Sequence, residues 1–198
     1  MSLGTTTSYA PPTADVVTRA AGASIGTPGG TALTIAGTNF GPASSSPVWA
    51  ALGASASAIY GPSPSYNRYN AGTCTVLGHF SIVCTTTVGV GGGLSFLVTI
   101  AAQASNPSGT FAYDLPTLAS FSPTAPFPTT GGSAVVLSGT NFGPTVASDP
   151  TNLVAANYGP PANVDKYSAV GCTVTTAHVA ITCTMAAGTG ANHEWVID

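Results

Sequence analysis

The sequence predicts an all-β protein of two tandem β-sandwiches, and three observations carry that prediction. The phrase Gly-Thr-Asn-Phe-Gly-Pro occurs twice, at Gly37–Pro42 and Gly139–Pro144, and the residues around each copy align. The apolar segments are short, β-branched and alternating, as strands with one buried face require. Glycine and proline interrupt them about every eight to twelve residues, a density that forbids long helices and favours a sandwich.

The repeat organises everything else. Thr27-Pro-Gly-Gly-Thr-Ala-Leu-Thr-Ile matches Thr129-Thr-Gly-Gly-Ser-Ala-Val-Val-Leu, and Tyr60-Gly-Pro matches Tyr158-Gly-Pro. Gly72-Thr-Cys-Thr-Val matches Val170-Gly-Cys-Thr-Val, His79–Cys84 matches His178–Cys183, and Gly89–Val98 matches Gly188–Ile197. Strands are expected at Ala32–Ile35, Val48–Leu52, Ser81–Thr85 and Leu94–Ile100 and at their counterparts, with helix close to nil. Residues 94, 96, 98 and 100 share one face, so Phe96, and Trp195 in the second repeat, should point into the core. The expected organisation is residues 1–12 as a strand belonging to a preceding unit, 13–115 as the first sandwich and 116–198 as the second. The Pro-rich stretch Pro116–Pro128 makes a stiff joint.

A chain of 198 residues suffices for two such domains, each with its own core. Charged residues are 5% of the chain, against about a quarter in soluble proteins generally. Three basic residues and a net charge of −3 provide no electrostatic footprint for phosphate backbones, so no nucleic-acid partner is expected. Insertion into a membrane is not expected either, since no apolar run approaches the roughly 20 residues that span a bilayer. So neutral a surface needs cover, by glycan or by burial in an assembly. No asparagine stands in a usable N-linked acceptor sequence, which leaves O-linked glycans on stretches such as Gly61–Ser65 and Ser122–Pro128. Plain turn-rich loops are the alternative reading of both.

The four cysteines fall two per repeat, Cys74 with Cys84 and Cys172 with Cys183, each pair spanning a short polar turn. They read as two hairpin disulfides, because zinc would want closer ligand pairs. Disulfides imply an oxidising compartment, hence an extracellular or cell-surface protein; four reduced, buried cysteines remain the other reading. Met1-Ser-Leu-Gly lacks the pattern of a signal peptide, so either one has been removed or the chain is part of something longer.

Chemistry for catalysis is sparse, and neither enzymatic activity, a cofactor nor a metal is expected. No nucleophile elbow, P-loop, zinc or EF-hand pattern occurs. His79 and His178 each precede a cysteine by an odd number of residues, which puts the two side chains on opposite faces of a regular strand; both read as polar turn residues. His193 and Glu194 are strand neighbours that face apart. Tyr60, Tyr66 and Tyr69, with Trp49 upstream, could form a sugar-stacking face or pack against a loop.

Pro123, Gly131-Gly132, Gly139–Gly143 and the pair Cys172/Cys183, with Gly29-Gly30, Gly37–Gly41 and Cys74/Cys84 as equivalents, resemble the pattern of IPT/TIG domains. That resemblance covers nearly the whole chain and implies an immunoglobulin-like fold. The cysteine hairpin and following glycines look like tandem arrays in large surface proteins of microbial eukaryotes. Such domains serve as stalks, adhesion modules and enzyme appendages alike, so the resemblance implies little about function.

The two repeats are cut out of phase. The first runs on into Ser108–Pro116, the second reaches Asp198 without such a segment, and Ser8-Tyr-Ala-Pro-Pro-Thr13 at the other end matches Ala112-Tyr-Asp-Leu-Pro-Thr117. The expectation is a donor strand carrying Leu3, Thr6, Ser8, Tyr9 and Ala10, and an acceptor edge of Trp195, Val196, Ile197 and Asp198. Ten extended residues reach at most about 35 Å. Two domains end to end span roughly 70–80 Å, so the expected donor is another copy of the chain. Such exchange makes a head-to-tail homopolymer, an extracellular filament. A segment of a long covalent array gives a similar fibre and stays open, as does a cell-surface adhesion or carbohydrate-binding module of a larger repeat protein.

Overall fold

A computed structural model describes residues 7–51, 53–124, 126–150, 152 and 154–197. Leu3, Thr6 and Asp198 therefore lie outside the described residues. The chain forms two compact units: the first holds the described residues up to Ser24 with Gly30–Thr87 and Gly91–Ala112, the second Ile25–Gly29, Val88–Val90 and everything from Tyr113 onward.

In the first unit the elements are β1 (Thr13–Arg19), β2 (Ala32–Thr38), α1 (Pro47–Ala51), β3 (Ala56–Pro62), β4 (Tyr69–Asn70), β5 (Cys74–Gly78), β6 (Ser81–Thr85), β7 (Leu94–Ile100) and β8 (Gln103–Ala104). They make two antiparallel sheets, ordered β1-β2-β6-β5 and β4-β3-β7-β8. Alternation sends Leu33, Ile35, Val76, Ile82 and Cys84 inward from one sheet and Tyr60, Leu94, Phe96 and Val98 from the other, as the period of a half-buried strand demands.

The second unit repeats this with β9 (Thr117–Ser122), β10 (Ala134–Thr140), β11 (Ala156–Gly159), β12 (Tyr167–Ser168), β13 (Val170–Thr176), β14 (Ala180–Thr184) and β15 (Glu194–Ile197). Its sheets are ordered β13-β14-β10-β9 and β12-β11-β15. Val135, Leu137, Phe142, Ala156, Val174, Ile181 and Cys183 form the core, with Trp195 and Ile197 packed against it. The whole is nearly all β, two facing sheets per unit, consistent with a sandwich.

The repeated Gly-Thr-Asn-Phe-Gly explains itself in both units. Gly37 and Gly139 leave room for Thr13 O and Thr117 O, which a Cβ would strike, opposite bulges in β1 and β9. Asn39 and Asn141 turn the chain at φ 61° and 59°, a left-handed conformation that asparagine tolerates. Phe40 and Phe142 then drop into the cores. The asparagine side chains reach back to the segment leading into each first strand: Asn39 Nδ2 donates to Pro11 O at 3.1 Å and Asn141 Nδ2 to Leu115 O at 3.3 Å.

One expected strand is a helix. Pro47–Ala51 forms α1, where Val48–Leu52 reads as a strand. Proline suits the first helical position, having no N–H to waste. Ser46 caps the turn: its Oγ accepts from Val48 N–H at 3.3 Å and its carbonyl from Trp49 N–H at 3.0 Å. Local capping overrides the apolar pattern of Val-Trp-Ala-Ala.

Candidate functional site

The two units differ at the outer edge of β7 and of its counterpart β15. In the first, β7 pairs with β3 on one side. Its other side is closed by the stretch Gln103–Phe111, beginning with β8. Ser105 N–H donates to Val98 O at 2.8 Å, Ser108 N–H to Phe96 O at 2.9 Å, and Phe111 and Leu94 exchange bonds at 2.8 and 2.9 Å. Where the backbone turns away, hydroxyls stand in for it. Ser105 Oγ accepts from Val98 N–H at 3.0 Å and Ser108 Oγ from Phe96 N–H at 2.9 Å, both buried. Buried N–H groups are rarely left unpaired, and here serine side chains meet the requirement.

The same stretch binds the facing sheet. Asn106 accepts from Ala14 N–H through Oδ1 at 3.0 Å and donates to Ala14 O through Nδ2 at 2.9 Å; Gly109 N–H donates to Asp15 O at 2.7 Å. Phe111 lies stacked on Phe96, 4.9 Å between centroids, and 5.4 Å from Tyr60. The closing segment thus starts at Gln103, five residues before the expected Ser108. At Ser105 and Ser108 the pairing runs through side chains as well as backbone.

In the second unit β15 pairs with β11, Trp195 opposite Tyr158 as Phe96 is opposite Tyr60. Among the described residues β15 is the edge of its sheet, and the second unit holds no counterpart of Gln103–Phe111 there. Phe96 and Val98 are fully buried, whereas Trp195 and Ile197 are only half-buried. Trp195 stacks on Tyr158, 4.5 Å between rings, and lines a groove of about 560 Å³. Phe121, Phe127, Tyr158, Tyr167, Met185 and His193 also line it.

Its chemistry is aromatic and neutral. Tyr158 donates to Ala186 O at 3.0 Å; burial raises its phenol above the ordinary value, against the lowering effect of that bond. Tyr167 donates to Thr189 O at 2.9 Å, and this bond, followed by one with Lys166, lowers its phenol. His193 sets its ring edge-on to Tyr158 and Tyr167, and its Nδ1 is buried with no hydrogen-bond partner. Among the described residues no group of three or more His, Cys, Asp or Glu could hold a metal ion.

The other sequence-derived residues are placed as follows. Cys74–Cys84 and Cys172–Cys183 are disulfides across the β5–β6 and β13–β14 hairpins. Trp195, Val196 and Ile197 lie on β15. Ser8, Tyr9 and Ala10 are exposed and outside any strand, with Tyr9 O accepting from Gln103 Nε2 at 3.1 Å. His79 and His178 sit at hairpin turns. Tyr60 and Tyr69 do not form an exposed stacking face: they pair across β3 and β4, pack 5.1 Å apart and are buried. Asn106, Ser105 and Ser108 escape notice in the sequence, though an asparagine and two serines around a proline just after an apolar strand carry the signal.

These features define a two-unit all-β protein, one unit closed at its outer edge and the other, among the described residues, open there. No protein-family model and no curated protein matches the chain. Among solved structures it is similar to SGBP-B from a complex xyloglucan utilization locus in Bacteroides uniformis, with 18% identity and TM-score 0.34 over 94% of this chain and 45% of that one. It is also similar to the plexin A4 full extracellular region, with 17% identity and TM-score 0.32 over 85% of this chain and 12% of that one. The chain spans less than half the length of either, and at these TM-scores neither likeness bears on function.

Proposed function

We propose that the chain is a structural subunit, or repeat segment, of an extracellular filament: two tandem immunoglobulin-like sandwiches of the IPT/TIG type, joined head to tail by β-strand complementation. The observation that carries this reading is the contrast between β7, bonded along its outer edge by Gln103–Phe111, and β15, which has no such neighbour among the described residues. An unpaired edge is a template for another strand. Each main-chain bond gained there contributes about 0.5–1.5 kcal/mol net. A donor that leaves its own acceptor edge open makes a heterologous contact, which propagates into rings or filaments.

The two disulfides fit an oxidising, extracellular or cell-surface setting. O-linked glycans on exposed Ser63, Ser65, Ser122 and Thr124 would cover a surface with few charges. A second reading, carbohydrate binding by the aromatic groove, is favoured by Tyr158, Tyr167 and Trp195 sharing one wall. Electron microscopy of the purified chain separates the two. Filaments that vanish when residues 1–10 are removed support assembly; a monomer with saturable sugar affinity overturns it. An intact native mass near 19.4 kDa plus glycan marks a discrete subunit, and a far larger one a covalent array.

A further inference from the structure

The groove's far wall has a covered twin. In repeat register Ile25 corresponds to Phe127 and Thr27 to Thr129. Ile25 and Thr27 are 4% and 1% exposed, whereas Phe127 is half-buried and Thr129 exposed. Within the second unit, Ile25 O accepts from Asp114 N–H at 3.0 Å, and the neighbouring Tyr113 is 4% exposed. Tyr113 in turn corresponds to Tyr9, by the match of Ala112–Thr117 with Ser8–Thr13. Tyr9 is 93% exposed.

One molecule therefore shows the pair once assembled, as Tyr113 beside the Ile25 loop, and once as two separate halves. Tyr9 is a ring without a pocket. The groove bounded by Phe127, Tyr158 and Trp195 is a pocket without a ring, and it keeps His193 Nδ1 buried and unpartnered. Residues 7–12 offer a single large apolar side chain, that of Tyr9. So exposed an aromatic gains the most from burial, and buried aromatic anchors dominate the energetics of protein contacts.

We propose that the groove is the seat of Tyr9 from a second copy of this chain. The ring lies against Phe127 at the rim of the groove, as Tyr113 lies beside the Ile25 loop, and Ala10 N–H donates to Phe127 O as Asp114 N–H does to Ile25 O. The proposal rests on the strand-complementation reading and adds to it the anchoring residue and its register.

The test uses the 198-residue chain and its critical concentration for assembly. Because Tyr9 is solvent-exposed in the free chain, Tyr9→Ala leaves the fold intact, checked by circular dichroism. It should raise the critical concentration about 30-fold or more, while Tyr9→Phe should stay within about threefold of the parent because the apolar ring is kept. Mixing chains that carry Ala10→Cys, with the Tyr9 ring kept, with chains that carry Thr129→Cys should give a disulfide-linked dimer of one of each. If removal of residues 1–10 abolishes assembly but Tyr9→Ala assembles like the parent and no mixed dimer forms, Tyr9 is not the anchor although complementation holds. If removal of residues 1–10 changes nothing, or the parent chain stays monomeric, complementation itself fails and the seat with it. A doubly substituted chain that closes its disulfide only within one molecule also overturns the second copy as occupant.

Discussion

Strands β7 and β15 occupy the same place in the two units, face equivalent tyrosines and follow equivalent glycine-rich turns, yet one is buried on its outer edge and the other is not. Phe96 stacks on Phe111; Trp195, with more apolar surface, is left half-exposed over a groove. The difference lies in the segment alongside, Gln103–Phe111, and not in the strand itself. That segment works through serine hydroxyls and one asparagine amide, which bind both sheets at once. Closing a sandwich here is a matter of tying two edges together with polar side chains; ring stacking follows.

The harshest way to probe this symmetry is through the motif both units share. A Cβ on Gly139 would strike Thr117 O and the Phe142 ring, and one on Gly37 would strike Thr13 O and the Phe40 ring. Gly139→Ala should cost at least about 3 kcal/mol and remove the second unit's transition from a calorimetric scan while leaving the first. Gly37→Ala should do the reverse. If both variants melt like the parent, the two frames do not depend on that approach.

A milder change should make the closed unit resemble the open one. Asn106→Ala deprives the buried Ala14 backbone of both its partners and should destabilise the first unit by about 1–3 kcal/mol. Hydrogen exchange at Phe96 and Val98 should then speed up toward the rates of Trp195 and Ile197. Unchanged exchange would mean that Ser105 and Ser108 hold the edge unaided.

The smallest effect distinguishes the turns. Burial holds the His178 imidazole below its ordinary value of 6.5, and its Nδ1 lies 2.8 Å from Thr27 Oγ1 within the second unit. The unfolded chain therefore takes up the proton more readily than the folded one. The stability tied to neutral His178 is complete above pH 6.5 and is lost as pH falls through the lowered value. Denaturation curves of the second unit between pH 7 and 5 should show this loss, and His178→Gln should abolish it.

Much of this is legible in the sequence. The repeat, the disulfide hairpins and the buried faces follow from Gly-Thr-Asn-Phe-Gly, from Cys74/Cys84 and Cys172/Cys183, and from the alternation in Leu94–Ile100. The helix at Pro47 is not legible, because a Ser-Pro start and an apolar run also fit a strand. Tyr60 and Tyr69 read as a candidate surface because a tyrosine's partner across two strands is not visible in linear order. The groove could not be read at all. It is a hollow among side chains far apart in the chain, and sequence patterns describe residues in linear order.

The closure of β7 by Ser105, Asn106 and Ser108 employs only uncharged groups. Debye screening, which weakens contacts between exposed charges as ionic strength rises, has nothing to act upon at such a joint. The closed edge of the first unit should hold alike in fresh water and in brine.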